Sequence, residues 1–202
     1  MDSTAVIVAS LQAACADAGL PFPSHERARH IIGLGLYDAM AYVLPGVGTE
    51  VYPHVVERYG HHFRDREADA PLFAGAREML TELRGAGHRL AIATGKSRRG
   101  LDRVLENTGL LHAFHATRCG EESASKPAPD MLHDLMRMLD AKPARTLMIG
   151  DTTHDLQMAT GAGVASLAVC YGAHPRAQLE EFSPLACMSN PEELEQWLRL
   201  NA

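Results

Sequence analysis

The sequence lacks the features that would send it to a membrane, to nucleic acid or to an oxidising compartment. No apolar run approaches the roughly 18 residues that a spanning helix needs, and no basic-then-apolar segment opens the chain. No Lys/Arg run exceeds the pair Arg98-Arg99, and the formal net charge is −6. A polyanion needs clustered cations, so nucleic acid is not an expected partner. Cysteine is scarce. Cys15, Cys119, Cys170 and Cys187 form no C-x-x-C pair and have no metal-ligand spacing with a histidine. Such thiols read as reduced and mostly buried in a soluble, cytoplasmic protein. The eleven histidines include no H-E-x-x-H, and His61-His62 falls on an expected helix surface, so a histidine metal site is not expected. Internal repeats and low-complexity segments are also missing.

What is present is 202 residues with 46% hydrophobic content, enough for one full core or a core domain plus a small lid. The acidic balance still allows a small phosphate ester, which needs only one local positive pocket. Residues 3–66 carry helical signals alone. An Ala-rich stretch at 5–16 opens at Asp2 or Ser3 as N-cap and closes at Gly19. Ser24 caps a short helix, Gly33-Leu34-Gly35 breaks it, and helices follow at 36–43 and 50–63. From Leu72 onward strands and helices alternate. Strands are expected at 89–93, 113–117, 146–149 and 165–169, and helices at 75–84, 97–107, 130–139 and 154–160, with a last helix capped by Asn190. Leu194, Trp197 and Leu198 read as the core face of that helix. Alternation with short connections implies a parallel sheet covered on both faces, an α/β doubly wound core.

In such a sheet, ligands bind beyond the carboxyl ends of the strands. Four strand ends lead into Thr94-Gly95-Lys96-Ser97, Ser125-Lys126-Pro127, Gly150-Asp151-Thr152-Thr153-His154-Asp155 and Tyr171-Gly172-Ala173. Each polar group has a structural explanation when taken alone. Thr94 could cap the next helix, Lys126 could be solvated, and Asp151 and Asp155 could be an N-cap and a first-turn charge favoured by the helix dipole. Together they place a hydroxyl, an ammonium and two carboxylates along one sheet edge, the groups that phosphoryl transfer with Mg²⁺ needs.

Ala93-Thr94-Gly95, Lys126-Pro127-x-Pro129 and Gly150-Asp151-x-x-x-Asp155 resemble motifs two, three and four of the haloacid dehalogenase superfamily. The helical segment ahead of Thr94 resembles that superfamily's helical cap. Gly33-Leu34-Gly35-Leu36 and Leu72-Phe73-Ala74-Gly75-Ala76 look most like the phosphoglycolate phosphatase group. The resemblance implies a Rossmann-like core at 71–202 with a helical cap at 3–70. It implies that Thr94 and Gly95 meet a phosphoryl oxygen and that Lys126 neutralises the nucleophile and the transferring group. Asp151 would bind Mg²⁺ directly, Asp155 would support the metal through water or a hydrogen bond, and Gly33 and Gly35 would reach over the substrate. The implied partner is a small phosphorylated metabolite, and the implied assembly a monomer or homodimer.

One part of the pattern departs. Motif one of the family, D-x-D-G-T-L-x-D-S, ends an apolar first strand; its first aspartate is the nucleophile and a metal ligand, and its second the general acid/base. Met1-Asp2-Ser3 matches only its x-D-S tail. Asp2-Ser3-Thr4-Ala5-Val6 mimics a nucleophile motif loosely, but only Met1 precedes Asp2, which suits a helix N-cap instead. The expectation is that an internal methionine has been taken as the start, so that a central strand of ~5–6 residues and its turn lie upstream. Four apolar side chains there, at ~1.5–3 kcal/mol each, would be worth ~6–12 kcal/mol, against ~5–15 kcal/mol for a whole domain. An in-frame apolar run ending in D-x-D-G-T-L in the upstream DNA would confirm this, and a stop codon would sink it.

Two neighbouring patterns fail. Thr94-Gly95-Lys96-Ser97 resembles the end of a P-loop, but Leu90 stands where its first glycine belongs. Gly33/Gly35 follows no strand and is no dinucleotide fingerprint. The leading function is therefore a Mg²⁺-dependent phosphomonoesterase, inactive without the motif-one aspartates. A catalytically inactive phosphate- and metal-binding protein and a sugar-phosphate mutase of the same fold are the alternatives.

Overall fold

Residues 1–66 and 70–202 are described by a computed structural model. Residues 67–69, inside the expected cap range 3–70, lie outside the described residues. The first stretch folds as four helices, α1 (Thr4–Asp17), α2 (His25–His30), α3 (Leu36–Val43) and α4 (Tyr52–Asp65), with a 3₁₀ turn over Thr49–Val51 leading into the last. Local chemistry sets their ends. Ser24 Oγ accepts the Arg27 N–H at 3.3 Å to start α2, as an N-cap serine should. Asp2 precedes α1 without capping it; Ser3 holds the N-cap position with no side-chain bond. The helices share one apolar cluster that includes Leu11, Ala14, Cys15, Ala28, Met40 and Val55.

Ser10 sits fully buried on α1, and its hydroxyl finds no hydrogen-bond partner among the described residues. A buried hydroxyl without a partner costs ~1–3 kcal/mol. Ser10→Ala is therefore expected to raise stability by ~1 kcal/mol in urea unfolding; an unchanged or lower midpoint would contradict the orphaned hydroxyl.

The remainder alternates as the sequence implies. In chain order it runs α5 (Ala76–Gly85), β1 (Ala91–Thr94), α6 (Arg98–Thr108), β2 (Ala116–Cys119), α7 (Asp130–Met138), β3 (Leu147–Gly150), α8 (Thr153–Gly161), β4 (Ala165–Val169), α9 (Arg176–Glu180), β5 (Cys187–Met188) and α10 (Pro191–Asn201). All strand pairing is parallel. β1 pairs with β2 from Ala91↔Ala116 to Thr94↔Cys119. β3 pairs with β4 from Leu147↔Ala165 to Gly150↔Ala168, and β4 with β5. The strands thus form two sheets, β1-β2 and β3-β4-β5.

Helices cover both faces. On one, Met131, Leu132 and Met136 of α7 join Met158 and Ala159 of α8, and both Ala93 of β1 and Met148 of β3 pack against that single cluster. On the other, Leu101 and Leu105 of α6 meet Ile92 and Cys119, while Met79 and Leu83 of α5 with Leu194, Trp197 and Leu198 of α10 cover Leu147 and Leu167. The α/β layered architecture and the core face of the last helix are as the sequence implied.

Strand β2 begins later than the expected 113–117. The Gly109 C-cap, at φ 65, is followed by a turn in which Ala113 N–H bonds Leu110 O, so ladder pairing starts only where His115 N–H reaches Leu90 O. Helix α9 and strand β5 have five and two residues, too short for any periodicity to show. Among the described residues, no helix is long and apolar enough to cross a membrane.

Candidate functional site

The strand ends converge as the topology requires. A cavity of about 610 Å³ is lined by Thr94 and Gly95 after β1, by Lys126 ahead of α7, and by Asp151 and Asp155 at the β3–α8 junction, with Gly33 of the helical module above them. Ile92 and Ala93 of β1 and Met148, Ile149 and Gly150 of β3 also line it. Thus β1 and β3 face each other across the cavity, and among the described residues each pairs with a strand on one edge only.

Lys126 and Asp155 form a buried ion pair in the site. Lys126 Nζ lies 2.6 Å from Asp155 Oδ1, with both side chains 5% exposed, and it also donates to the Ala93 carbonyl at 2.9 Å. The lysine therefore ties β1 to α8. Asp155 Oδ2 accepts the Thr152 N–H at 3.1 Å and the Thr152 hydroxyl at 2.8 Å. Thr152 Oγ1 in return accepts the Asp155 N–H at 3.2 Å, a reciprocal capping box at the start of α8. The N-cap of α8 is thus Thr152 and not Asp151, while Asp155 is the first-turn charge, and its carboxylate serves the lysine as well. Burial alone pushes the Asp155 carboxyl up, but the Lys126 ammonium and the hydrogen bonds from Lys126 and Thr152 outweigh it and hold the group below the usual range.

Asp151 differs. Burial and the neighbouring Asp155 charge push its carboxyl above the usual range, against the Ala173 N–H and the Lys126 charge. Its Oδ2 accepts the Ala173 N–H at 2.9 Å. A half-buried carboxylate pushed up by desolvation and a second carboxylate is a place where a hard cation restores the charged form. Asp155, with both oxygens already engaged, can support such a cation only indirectly. Lys126 and Asp155 are therefore both legible in sequence as site residues, but the sequence did not show that they engage each other.

Gly95 carries the junction with the helical module. A Cβ there would stand 2.2 Å from the Leu34 carbonyl oxygen and 2.6 Å from that of Gly33, so only glycine lets the two backbones meet. Thr94 Oγ1 accepts the Lys96 N–H at 3.2 Å, within its own turn. Gly33, at φ +97, packs on Thr152, while the Gly35 N–H bonds Ser125 Oγ at 2.8 Å. The 33–35 turn thus touches three strand-end loops, with Gly33 on the cavity and Gly35 fixed to Ser125.

Sequence spacing did not reveal Ser125, Arg29, His30 or His174 as parts of this junction. His154 and His174 approach the His30 carbonyl with Nε2 at 2.7 and 3.1 Å, and Arg29 bonds the Ala173 carbonyl at 2.8 Å. The three histidines lie as many as 144 positions apart, so no local motif could have joined them. Burial, followed by the neighbouring His154, pushes His174 down to about 4, and burial lowers His154 as well. Asp2 lies before a helix and not at a strand end, its N–H bonded to the Pro71 carbonyl at 2.8 Å, in keeping with its rejection as nucleophile.

Known proteins share this fold. A hydrolase from Pseudomonas syringae superposes with a TM-score of 0.90 over 100% of this chain and 94% of its own, at 20% identity, which speaks for the fold. A Dickeya dadantii protein called "Probable phosphatase IndB" is 35% identical over 91% of this chain and 82% of its own length. The phosphoglycolate phosphatase of Aliivibrio fischeri is 26% identical over 91% of this chain and 85% of its own. The family model described as haloacid dehalogenase-like hydrolase matches residues 1–169, and with the strand-end residues in the expected order, the chain belongs to that family.

Proposed function

We propose that this chain is the body of a Mg²⁺-dependent phosphomonoesterase acting on a small phosphorylated metabolite, with residues 3–70 as cap and 71–202 as core. The observation that carries the reading is the convergence of Thr94, Lys126, Asp151 and Asp155 on one cavity beneath the Gly33–Gly35 turn. Asp151 is the direct cation ligand, and Asp155 acts through Lys126 and Thr152. Mg²⁺, when bound there, offsets charge developing on the phosphoryl oxygens. Thr94 and the Gly95 backbone hold a phosphoryl oxygen, and Lys126 lies beside the position of the attacking group. The relatives' names favour a phosphatase over a mutase, and the Aliivibrio fischeri protein's name suggests phosphoglycolate as the first substrate to try.

The attacking carboxylate belongs on an extended segment between β1 and β3. Met1 and Asp151 line the same cavity. Phosphate release from a panel of phosphomonoesters tests this. The chain beginning at Met1 is expected to release none. With an Asp-x-Asp segment joined ahead of Met1, Mg²⁺-dependent release is expected, reduced about a hundredfold or more by Asp151→Asn. Turnover by the chain alone would show that another carboxylate attacks and would refute this reading.

A further inference from the structure

The Gly172–His174 loop after β4 is bound on one side to Asp151 and on the other to the helical module. On the Asp151 side, Ala173 N–H donates to Asp151 Oδ2 at 2.9 Å and His174 N–H to the Asp151 carbonyl at 3.0 Å. A Cβ at Gly172 would stand 2.2 Å from Asp151 Oδ2, so the loop packs directly on the carboxylate. On the other side, Arg29 of α2 gives three hydrogen bonds: Nε and Nη2 to the Ala173 carbonyl at 3.1 and 2.8 Å, and Nη2 to the Gly172 carbonyl at 3.3 Å.

Two of these contacts share a peptide unit. The Gly172 carbonyl that accepts from Arg29 and the Ala173 N–H that donates to Asp151 are the two ends of one planar amide. A cation on the oxygen polarises that amide and strengthens its N–H as a donor. The plane also fixes the direction of the N–H once the carbonyl is held.

The neighbouring imidazoles of His30, His154 and His174, whose nitrogens come within 4.8 Å of one another, do not make a metal centre in this arrangement. His174 Nδ1 accepts the Thr153 N–H at 3.0 Å, which places the proton on Nε2, facing the His30 carbonyl. The ring has no lone pair left over. It serves to hold the loop against both α8 and the helical module.

We propose that Arg29 is a positioning residue for Asp151. By gripping the 172–173 peptide from the helical module, it orients the carboxylate that takes the divalent cation, so that seating of the module is read directly at the cation ligand. The proposal rests on the assignment of Asp151 as that ligand.

The test uses the chain as it stands, with Mn²⁺ as probe, in Arg29→Ala, Arg29→Lys and the control Arg27→Ala, whose side chain on the same helix bonds the Tyr42 carbonyl instead. Amide exchange at Ala173 is expected to rise about tenfold in Arg29→Ala, and Mn²⁺ affinity measured by electron paramagnetic resonance to fall about tenfold, the scale seen when a residue orienting a metal ligand is removed. Arg29→Lys should recover part of both, and Arg27→Ala should move neither. Wild-type exchange at Ala173, or wild-type Mn²⁺ affinity, in Arg29→Ala would overturn the proposal. So would equal effects in Arg27→Ala, since a general loosening of α2 would then explain them. Asp151→Asn separates the two levels. Mn²⁺ binding that survives it, or a wild-type chain that takes up no Mn²⁺, would remove the assignment of Asp151 and the proposal with it, whereas Mn²⁺ binding lost in Asp151→Asn but intact in Arg29→Ala would remove only the role of Arg29.

Discussion

An apolar strand joined ahead of Met1 and ending in Asp-x-Asp-Gly-Thr-Leu is expected to raise the unfolding free energy by ~6–12 kcal/mol, at ~1.5–3 kcal/mol for each of four buried side chains. The structure gives the reason. β1 and β3 run parallel to their own partners, both line one cavity, and each leaves an edge without a strand partner among the described residues. Ala93 and Met148 already rest on the same α7–α8 cluster. A strand between them would therefore find a helix layer in place, and its backbone would find donors and acceptors on both sides. Met1 lines the same cavity, so the graft enters without a long connection. The area-based figure uses an extended unfolded chain and is an upper bound. Urea unfolding is the measurement. A control graft with lysines at the apolar positions should give no gain, because the slot is flanked by Ile92, Ala93, Met148 and Ile149. Equal midpoints for apolar graft and unmodified chain would mean that the cavity is not a strand site.

How much of this was legible beforehand depends on the distance over which each signal acts. Caps were legible because their chemistry is local. Ser24, Ser97 and Asn190 accept the N–H groups of Arg27, Gly100 and Glu193, respectively, each three residues on. Helix α3 and strand β4 match their expected bounds because apolar spacing continues through them to a glycine or a turn on each side. The strand-end residues Thr94, Lys126, Asp151 and Asp155 were legible as a set because parallel strand–helix alternation brings every strand's carboxyl end to one edge. What the sequence could not show is how those groups choose partners. Lys126 could have faced solvent; burial at 5% exposure beside Asp155 is a tertiary fact. The grip of Arg29 on Ala173 spans 144 positions, and no periodicity encodes it. The Ala173 neighbour of Asp151 was visible only as a strand-end residue, with no hint that its N–H would hold the carboxylate.

Lys126→Met is expected to cost ~3–5 kcal/mol of stability near neutral pH, the usual consequence of leaving a buried charge without its partner. The methionine fills much of the lysine's volume, so lost packing is a small part of the change. What remains is an Asp155 carboxylate buried at 5% exposure with Thr152 as its remaining partner among the described residues, and an Ala93 carbonyl without its Lys126 donor. The pH dependence distinguishes this cause from simple loss of fit. In the native chain, burial raises the Asp155 carboxyl but the lysine and its hydrogen bonds outweigh it, so the folded value lies below the unfolded one. That contribution is present above the unfolded carboxyl value of about 3.9 and disappears as pH falls through the lower folded value. Once the ammonium is removed, burial is the largest remaining influence and the folded value rises above the unfolded one. The folded variant then binds a proton more readily than its unfolded chain, and it regains stability as pH falls from 7 toward 5, over which range the native pair is constant. Adding Asp155→Asn to Lys126→Met should return ~1–3 kcal/mol near pH 7, because the amide oxygen can still accept the Thr152 N–H without a charge. Urea midpoints at pH 7 and pH 5 for the three chains decide the matter. A deficit in Lys126→Met that is the same at both pH values, and untouched by Asp155→Asn, would mean that Lys126 holds the fold through its bond to β1 and not through Asp155.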